Sequence, residues 1–134
     1  MLGRKANKWK NKKVEYQGIV FDSAKERDRY IVLQSRQAQG LISDLQHQVK
    51  YVVIPQLSRL ENIALKTKTK TVKKVLFPET KYIADFVYTD IDGKQVVEDV
   101  KGAKIMITPE FKLKQKLMLH VHNIEVKIVF NPNE

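Results

Sequence analysis

The chain contains no cysteine, which excludes a disulfide framework, a thiolate zinc site and a cysteine nucleophile. Any metal must therefore be held by oxygen or imidazole. Long apolar runs are missing too: a stretch such as Tyr51 to Pro55 falls far short of the roughly 20 residues that cross a bilayer. The basic N-terminus offers no apolar segment of the kind a signal peptide needs, so the expectation is a cytoplasmic protein with no membrane partner. No Gly-rich phosphate loop, nucleophilic serine arrangement or zinc-ligand spacing is present. With 134 residues, 43% of them apolar, the chain is long enough for one compact core and too short for two.

Acids are missing from two stretches of a chain whose formal net charge is +10. Arg4, Lys5, Lys8, Lys10, Lys12 and Lys13 all precede the first acid, Glu15, and Lys66, Lys68, Lys70, Lys73 and Lys74 form a second block without one. Such blocks suit a polyanion, because each phosphate neutralised by Lys or Arg releases condensed counterions. DNA is the expected partner, and a solvated basic tail is the bland alternative for either block. Residues 1–13 lack periodic apolar positions and read as a flexible basic arm, with Trp9 as a stacking or docking group. Residues 14–134 then form the single domain.

Within that domain, Val14, Tyr16 and the run from Gly18 to Phe21 predict a short strand or hairpin leading to a helix start at Asp22-Ser23. Ala24 to Gln39 predicts the first helix, with Tyr30, Ile31 and Leu33 inward and Gly40 as its stop. A strand is expected over His47 to Ile54, ended by Pro55. Residues 56–78 read either as a mobile loop or as an extended ribbon, in which the Lys66 to Thr71 repeat sets lysines on one face and threonines on the other. Tyr82 to Tyr88 and Gln95 to Lys101 flank an Asp92-Gly93 hairpin signal. Thr108-Pro109 opens a helix to about His120, and Ile124 to Phe130 closes the chain with a strand, which implies a parallel pair joined by a crossover.

The hairpin loop decides which carboxylates can meet. If it is Ile91, Asp92 and Gly93, with Gly93 left-handed, Asp90 pairs with Lys94 and, counting back, Asp85 lies opposite Asp99. The two-residue strand period then sets Lys101 on the face of Asp99 and turns Glu98 to the other face, beside Phe86. This register is the favoured one. A two-residue loop would bring Glu98 to Asp85 instead, so Glu98 stands with Asp85 and Asp99 among the candidate metal ligands. Facing carboxylates with Cβ atoms roughly 5 Å apart repel each other. A hard divalent ion such as Mg2+ or Mn2+, taking one or two carboxylates plus water and phosphate, relieves that repulsion. It also lowers the pKa of a bound water and stabilises charge on a phosphodiester. An exposed hairpin with ordinary surface charges is the alternative on spacing alone.

Ile83-Ala84-Asp85-Phe86, followed by Val97-Glu98-Asp99-Val100-Lys101-Gly102, resembles the PD-(D/E)xK nuclease signature, with Ala84 where the family name has proline. In that superfamily the first acid and the acid of the triplet bind metal, and the lysine orients or activates water. The resemblance thus implies catalytic roles for Asp85, Asp99 and Lys101. Many members add a glutamate from the first helix, here Glu26, although Ser23-x-x-Glu26 also reads as a capping box. The implied fold is α/β, a restriction-endonuclease-like mixed β-sheet core flanked by α-helices, from about Gly18 to Phe130.

The small size and basic arm are similar to phage-encoded Holliday-junction resolvases. The expectation is therefore a Mg2+- or Mn2+-dependent endodeoxyribonuclease that cuts branched DNA as a homodimer, encoded by a phage and working in the cytoplasm of a bacterial host. A non-catalytic DNA-binding recombination accessory protein with the same fold is the alternative, followed by an exonuclease or RNA nuclease. Gln46, His47 and Gln48 precede a strand and are placed to approach substrate. His120 and His122 read as a solvated pair, and Lys112, Lys114 and Lys116 as the wet face of the second helix or as phosphate contacts.

Overall fold

Gln17 and Gly18 both hold positive φ, 51° and 79°, the conformation of a two-residue hairpin turn whose twist matches its strands. They join β1 (Val14–Tyr16) to β2 (Ile19–Phe21) at the start of the computed structural model, which describes residues 12–134. The expected basic arm therefore lies outside the described residues except for Lys12 and Lys13, which are exposed.

Helix α1 (Ala24–Ala38) begins at Ser23, whose Oγ accepts the Glu26 N–H at 3.1 Å. It gives way to Gly40 at φ 76°, a left-handed position that costs glycine nothing. Its inner face carries Glu26, Arg29 and Leu33, with Tyr30 half-buried. Ile31, expected inward, is exposed, because 100° steps set it on the far side of the stripe through 26, 29 and 33. The inward places go to two charged residues that an apolar pattern does not register.

Strand β3 (Ile42–Ile54) starts five positions before the expected His47. Residues 56–78 form the extended alternative: β4 (Leu57–Ala64) and β5 (Thr69–Phe77) make a separate two-stranded ribbon. In it Lys70 pairs with Ile63 on one face, and Thr69 and Thr71 pair with Ala64 and Asn62 on the other. Strands β6 (Thr80–Asp90) and β7 (Gln95–Val100) then lead into α2 (Pro109–His122) and β8 (Lys127–Val129). Thr108 caps α2 by accepting the Phe111 N–H at 3.1 Å, and Asn123 ends it at φ 56°. That cap delays the last strand, which is shorter than the expected run from Ile124 to Phe130. His122, expected to be solvated, is exposed but bonds the Val52 carbonyl at 2.7 Å.

The main sheet has the order β3-β6-β7-β8, antiparallel except for the parallel pair β7–β8 that α2 connects. The chain is thus a mixed α/β fold. One core cluster, with Val53, Tyr82, Ala84, Val97, Phe111, Met118 and Val126, joins the sheet to α2. A second, with Phe21, Leu33, Ile42, Phe86 and Tyr88, joins it to α1 and the β1–β2 hairpin. Tyr82 and Ala84 belong to the first cluster, whereas Phe86 and Tyr88 belong to the second. Alternation along β6 therefore reverses around Asp85.

The second core contains a buried ion pair. Arg29 Nε donates to Glu98 Oε2 at 2.8 Å and Nη2 to Oε1 at 2.6 Å, with both side chains fully buried. Tyr88 Oη donates to the same carboxylate, and Arg29 Nη1 reaches the carbonyls of Pro132 and Glu134. The pair ties α1, β7 and the C-terminal turn together. Removing one partner strands a buried charge, at about 3–5 kcal/mol. Urea unfolding of Arg29→Ala and Glu98→Ala should show losses of that order, and the apolar double substitution Arg29→Met/Glu98→Leu should recover part of them.

Candidate functional site

The three-residue hairpin loop is the one the chain adopts. Asp90 N–H donates to Lys94 O at 2.8 Å, Gly93 holds φ 82°, and the register runs through Thr89↔Gln95 to Phe86↔Glu98. The ladder stops there. One step further, where Asp85 would face Asp99, Asp85 Oδ2 instead accepts the Val100 N–H at 2.8 Å. The side chain thus fills the opening where β6 and β7 part.

Asp99 stands across that opening, 6% exposed. Its Oδ2 accepts from Tyr82 Oη at 2.8 Å, and its Oδ1 lies 3.1 Å from Lys101 Nζ. Lys101 Nζ also sits 4.1 Å from the centroid of the Phe111 ring, a cation–π contact that holds the ammonium in place. Burial, with the Asp99 carboxylate beside it, pushes the Tyr82 phenol upward, so it remains a proton donor to Asp99. Glu98 has no part here. The two-residue period aims it at Arg29, and it is removed from the candidate metal ligands for that reason.

Glu26 reaches the same opening from α1. Ser23 caps its backbone N–H, as in a capping box, but the carboxylate turns inward. It is 3% exposed, and Oε1 lies 2.7 Å from His47 Nε2 and 2.9 Å from Gln48 Nε2. His47 packs against Phe21 and Phe86, with ring centroids 4.8 and 5.4 Å away. Gln48 also reaches Asp85 Oδ1 at 3.4 Å, so one amide spans two acids. It does so at φ 58°, a left-handed backbone that costs a non-glycine residue about 1–3 kcal/mol. The sequence suggests His47 and Gln48 as residues that approach substrate, but not that they hold Glu26. The kink that aims Gln48 leaves no mark in composition or periodicity.

The site therefore joins Glu26, Asp85, Asp99 and Lys101, with Gln48 and Tyr82 as positioning donors. Burial, then Asp99 and Glu26, push the Asp85 carboxyl up to about 8, against the lowering influence of the Val100 N–H and Lys101. Among the described residues no three His, Asp or Glu side chains form a ready metal cage. Two neighbouring carboxylates, Asp85 and Asp99, are nevertheless the number that Mg2+ commonly takes from protein when phosphate completes its shell. The donors are hard oxygens, and among the described residues the pair has no ion-pair partner beyond Lys101. On both grounds the residues fit such an ion.

The predicted basic block at Lys66, Lys68, Lys70, Lys73 and Lys74 lies elsewhere, exposed on the β4–β5 ribbon. Among the described residues no helix is long and apolar enough to cross a membrane. A family model described as "Protein of unknown function (DUF1064)" matches residues 6–131, and the chain belongs to that family. No curated protein and no solved structure matches it.

The raised Asp85 carboxyl makes stability depend on pH. The folded state holds this proton up to about pH 8, whereas the unfolded chain releases it near the ordinary carboxylate range, around 4. Between those values the native state binds more protons, so the contribution is fully present at low pH and lost as pH rises through about 8. Thermal melts in EDTA should show wild type losing stability relative to Asp85→Asn across this window. Parallel curves for the two proteins would contradict the assignment.

Proposed function

We propose that this member of the DUF1064 family is a metal-dependent endonuclease that hydrolyses phosphodiester bonds in DNA, branched DNA in particular. The observation that carries the reading is the convergence of Asp85, Asp99 and Lys101 where β6 and β7 part, with Glu26 brought in by α1. The order helix, strands, helix, strand in α1, β3, β6, β7, α2 and β8 agrees with the restriction-endonuclease-like core implied by the motif. Mg2+ or Mn2+ is the implied cofactor, and a homodimer working in the cytoplasm of a phage-infected bacterium is what the resemblance adds.

Asp85 and Asp99 would hold the cation, which when bound supplies Lewis acidity toward the phosphate and a water of lowered pKa. Each carboxylate has one oxygen fixed by the framework, Asp85 by the Val100 N–H and Asp99 by the Tyr82 hydroxyl. Neither can swing away from a ligand at its other oxygen without breaking a hydrogen bond. Lys101 brings a partly accessible ammonium to the Asp99 side of the opening, where it orients the attacking water or meets charge developing on the phosphate. Glu26, held by His47 and Gln48, is the third acid of the centre and comes from α1. The positive balance of the chain draws the polyanion to this acidic centre.

Cleavage of linear, nicked and four-way DNA with magnesium, manganese and EDTA tests the reading. Wild type should cut only with metal, and the four-way substrate best. Asp85→Asn and Asp99→Ala should abolish cutting, with binding kept or strengthened, and Lys101→Ala should slow it by roughly 10²–10⁴. Glu98→Ala should act through fold stability. Binding without cleavage under every metal would instead favour a non-catalytic recombination accessory protein.

A further inference from the structure

The ribbon of β4 and β5 has no part in the centre described above. Its extensive contacts are between its own two strands. All of residues 57–77 are exposed except Glu61 and Val72, which are half-buried. A lone two-stranded ribbon is at best marginally stable in water. This one is not detached, however. The register Ile54↔Thr80 of β3 and β6 continues as Leu57↔Phe77 of β4 and β5, so the ribbon prolongs the hairpin whose strands carry Gln48 and Asp85. Pro55 and Pro78 interrupt the ladder between the two parts, since neither has an N–H to donate. The ribbon is an arm that continues the strands that build the centre.

Charge selects what the arm touches. Between Leu57 and Phe77 stand Arg59, Lys66, Lys68, Lys70, Lys73 and Lys74 against the single acid Glu61. The distal part, from Asn62 to Thr71, has no acid, and the tight turn at Lys66-Thr67, closed by Leu65 N–H to Lys68 O at 2.8 Å, gathers Lys66, Lys68 and Lys70 at the tip. Exposed Leu57, Val75, Leu76 and Phe77 lie near the prolines, and the exposed Leu60, Ile63 and Leu65 further out stand among the arginine and lysines of the ribbon. A second copy laid along the distal part would bring like charges together, and an apolar partner would have to desolvate three ammonium groups. A polyanion meets neither cost.

Resting on the nuclease reading, we propose that the β4–β5 ribbon lies along the phosphate backbone of duplex DNA flanking the bond to be cut. The eight residues of β4, at about 3.3 Å each, extend roughly 26 Å, most of the roughly 34 Å of one duplex turn. Exposed lysines contact phosphate as point charges without reading sequence. The preferred substrate therefore carries a double-helical arm of about one turn or more beyond the cleavage position, whatever its sequence.

The test is equilibrium binding in EDTA, where no cleavage occurs, of wild type and Lys66→Gln/Lys68→Gln/Lys70→Gln to duplexes of about 10 and about 30 base pairs, over a range of salt. The triple variant should bind the long duplex roughly tenfold more weakly, with a salt slope lower by about three, and lose less on the short one. Arginine at the same positions should restore both. Unchanged affinity and slope would overturn the proposal. So would a loss of affinity that follows only from a changed oligomeric state in sedimentation, since the ribbon would then join two copies. If wild type cuts nothing with any metal while the ribbon still governs binding, the nuclease reading fails and the DNA-binding arm stands.

Discussion

The bidentate pair between Arg29 and Glu98 is the constraint around which this molecule is arranged. Once Glu98 is bound to a guanidinium on α1, the alternation of β7 leaves Asp99 and Lys101 only the opposite face. The same bond fixes α1 against the sheet, and Glu26 lies three residues before Arg29 on the same buried stripe. A single ion pair thus orients three groups of the centre without touching any of them. Its two charges are fully desolvated, which offers little net stability against an apolar pair. Its consequence is orientation.

The centre itself lies where the sheet departs from regularity. The β6–β7 ladder ends at Phe86↔Glu98, alternation along β6 reverses at Asp85, and Gln48 on β3 adopts a left-handed backbone. These three departures occur around one point. Together they turn what would be a closed, hydrogen-bonded stretch of sheet into an opening lined by acids, with one lysine pinned over Phe111. Strain and like-charge proximity of this kind persist only where the surrounding framework holds them. Here the framework is two cores, one on each face of the sheet.

Much of this was legible in the sequence because it depends on local rules. The Asp92-Gly93 signal marks the hairpin, and counting reduces its register to two, of which the favoured three-residue loop is the one adopted and separates Asp99 from Glu98. The caps at Ser23 and Thr108 and the helix stop at Gly40 also follow from short-range chemistry, whereas the lysine-threonine repeat leaves loop and ribbon equally open. What stayed hidden is long-range. Arg29 finds Glu98 across 69 positions of chain, so no periodicity could announce that an arginine, and not Ile31, occupies the inner face of α1. The positive φ of Gln48 goes with side-chain contacts to Glu26 and Asp85, 22 and 37 positions away. The early start of β3 and the protrusion of the ribbon likewise depend on which strands pair, a matter of topology.

The central claim is that Asp85 and Asp99 form one cation site, and calorimetric titration of manganese into the intact protein tests it most directly. Run near neutral pH in two buffers of different ionisation enthalpy, the titration should show a single site whose occupation releases protons, because Asp85 must give up the proton that its buried position retains. Asp85→Asn and Asp99→Asn should each lose that site, and Glu98→Gln, if folded, should retain it. Undiminished manganese binding with the same proton release in Asp85→Asn would contradict the account.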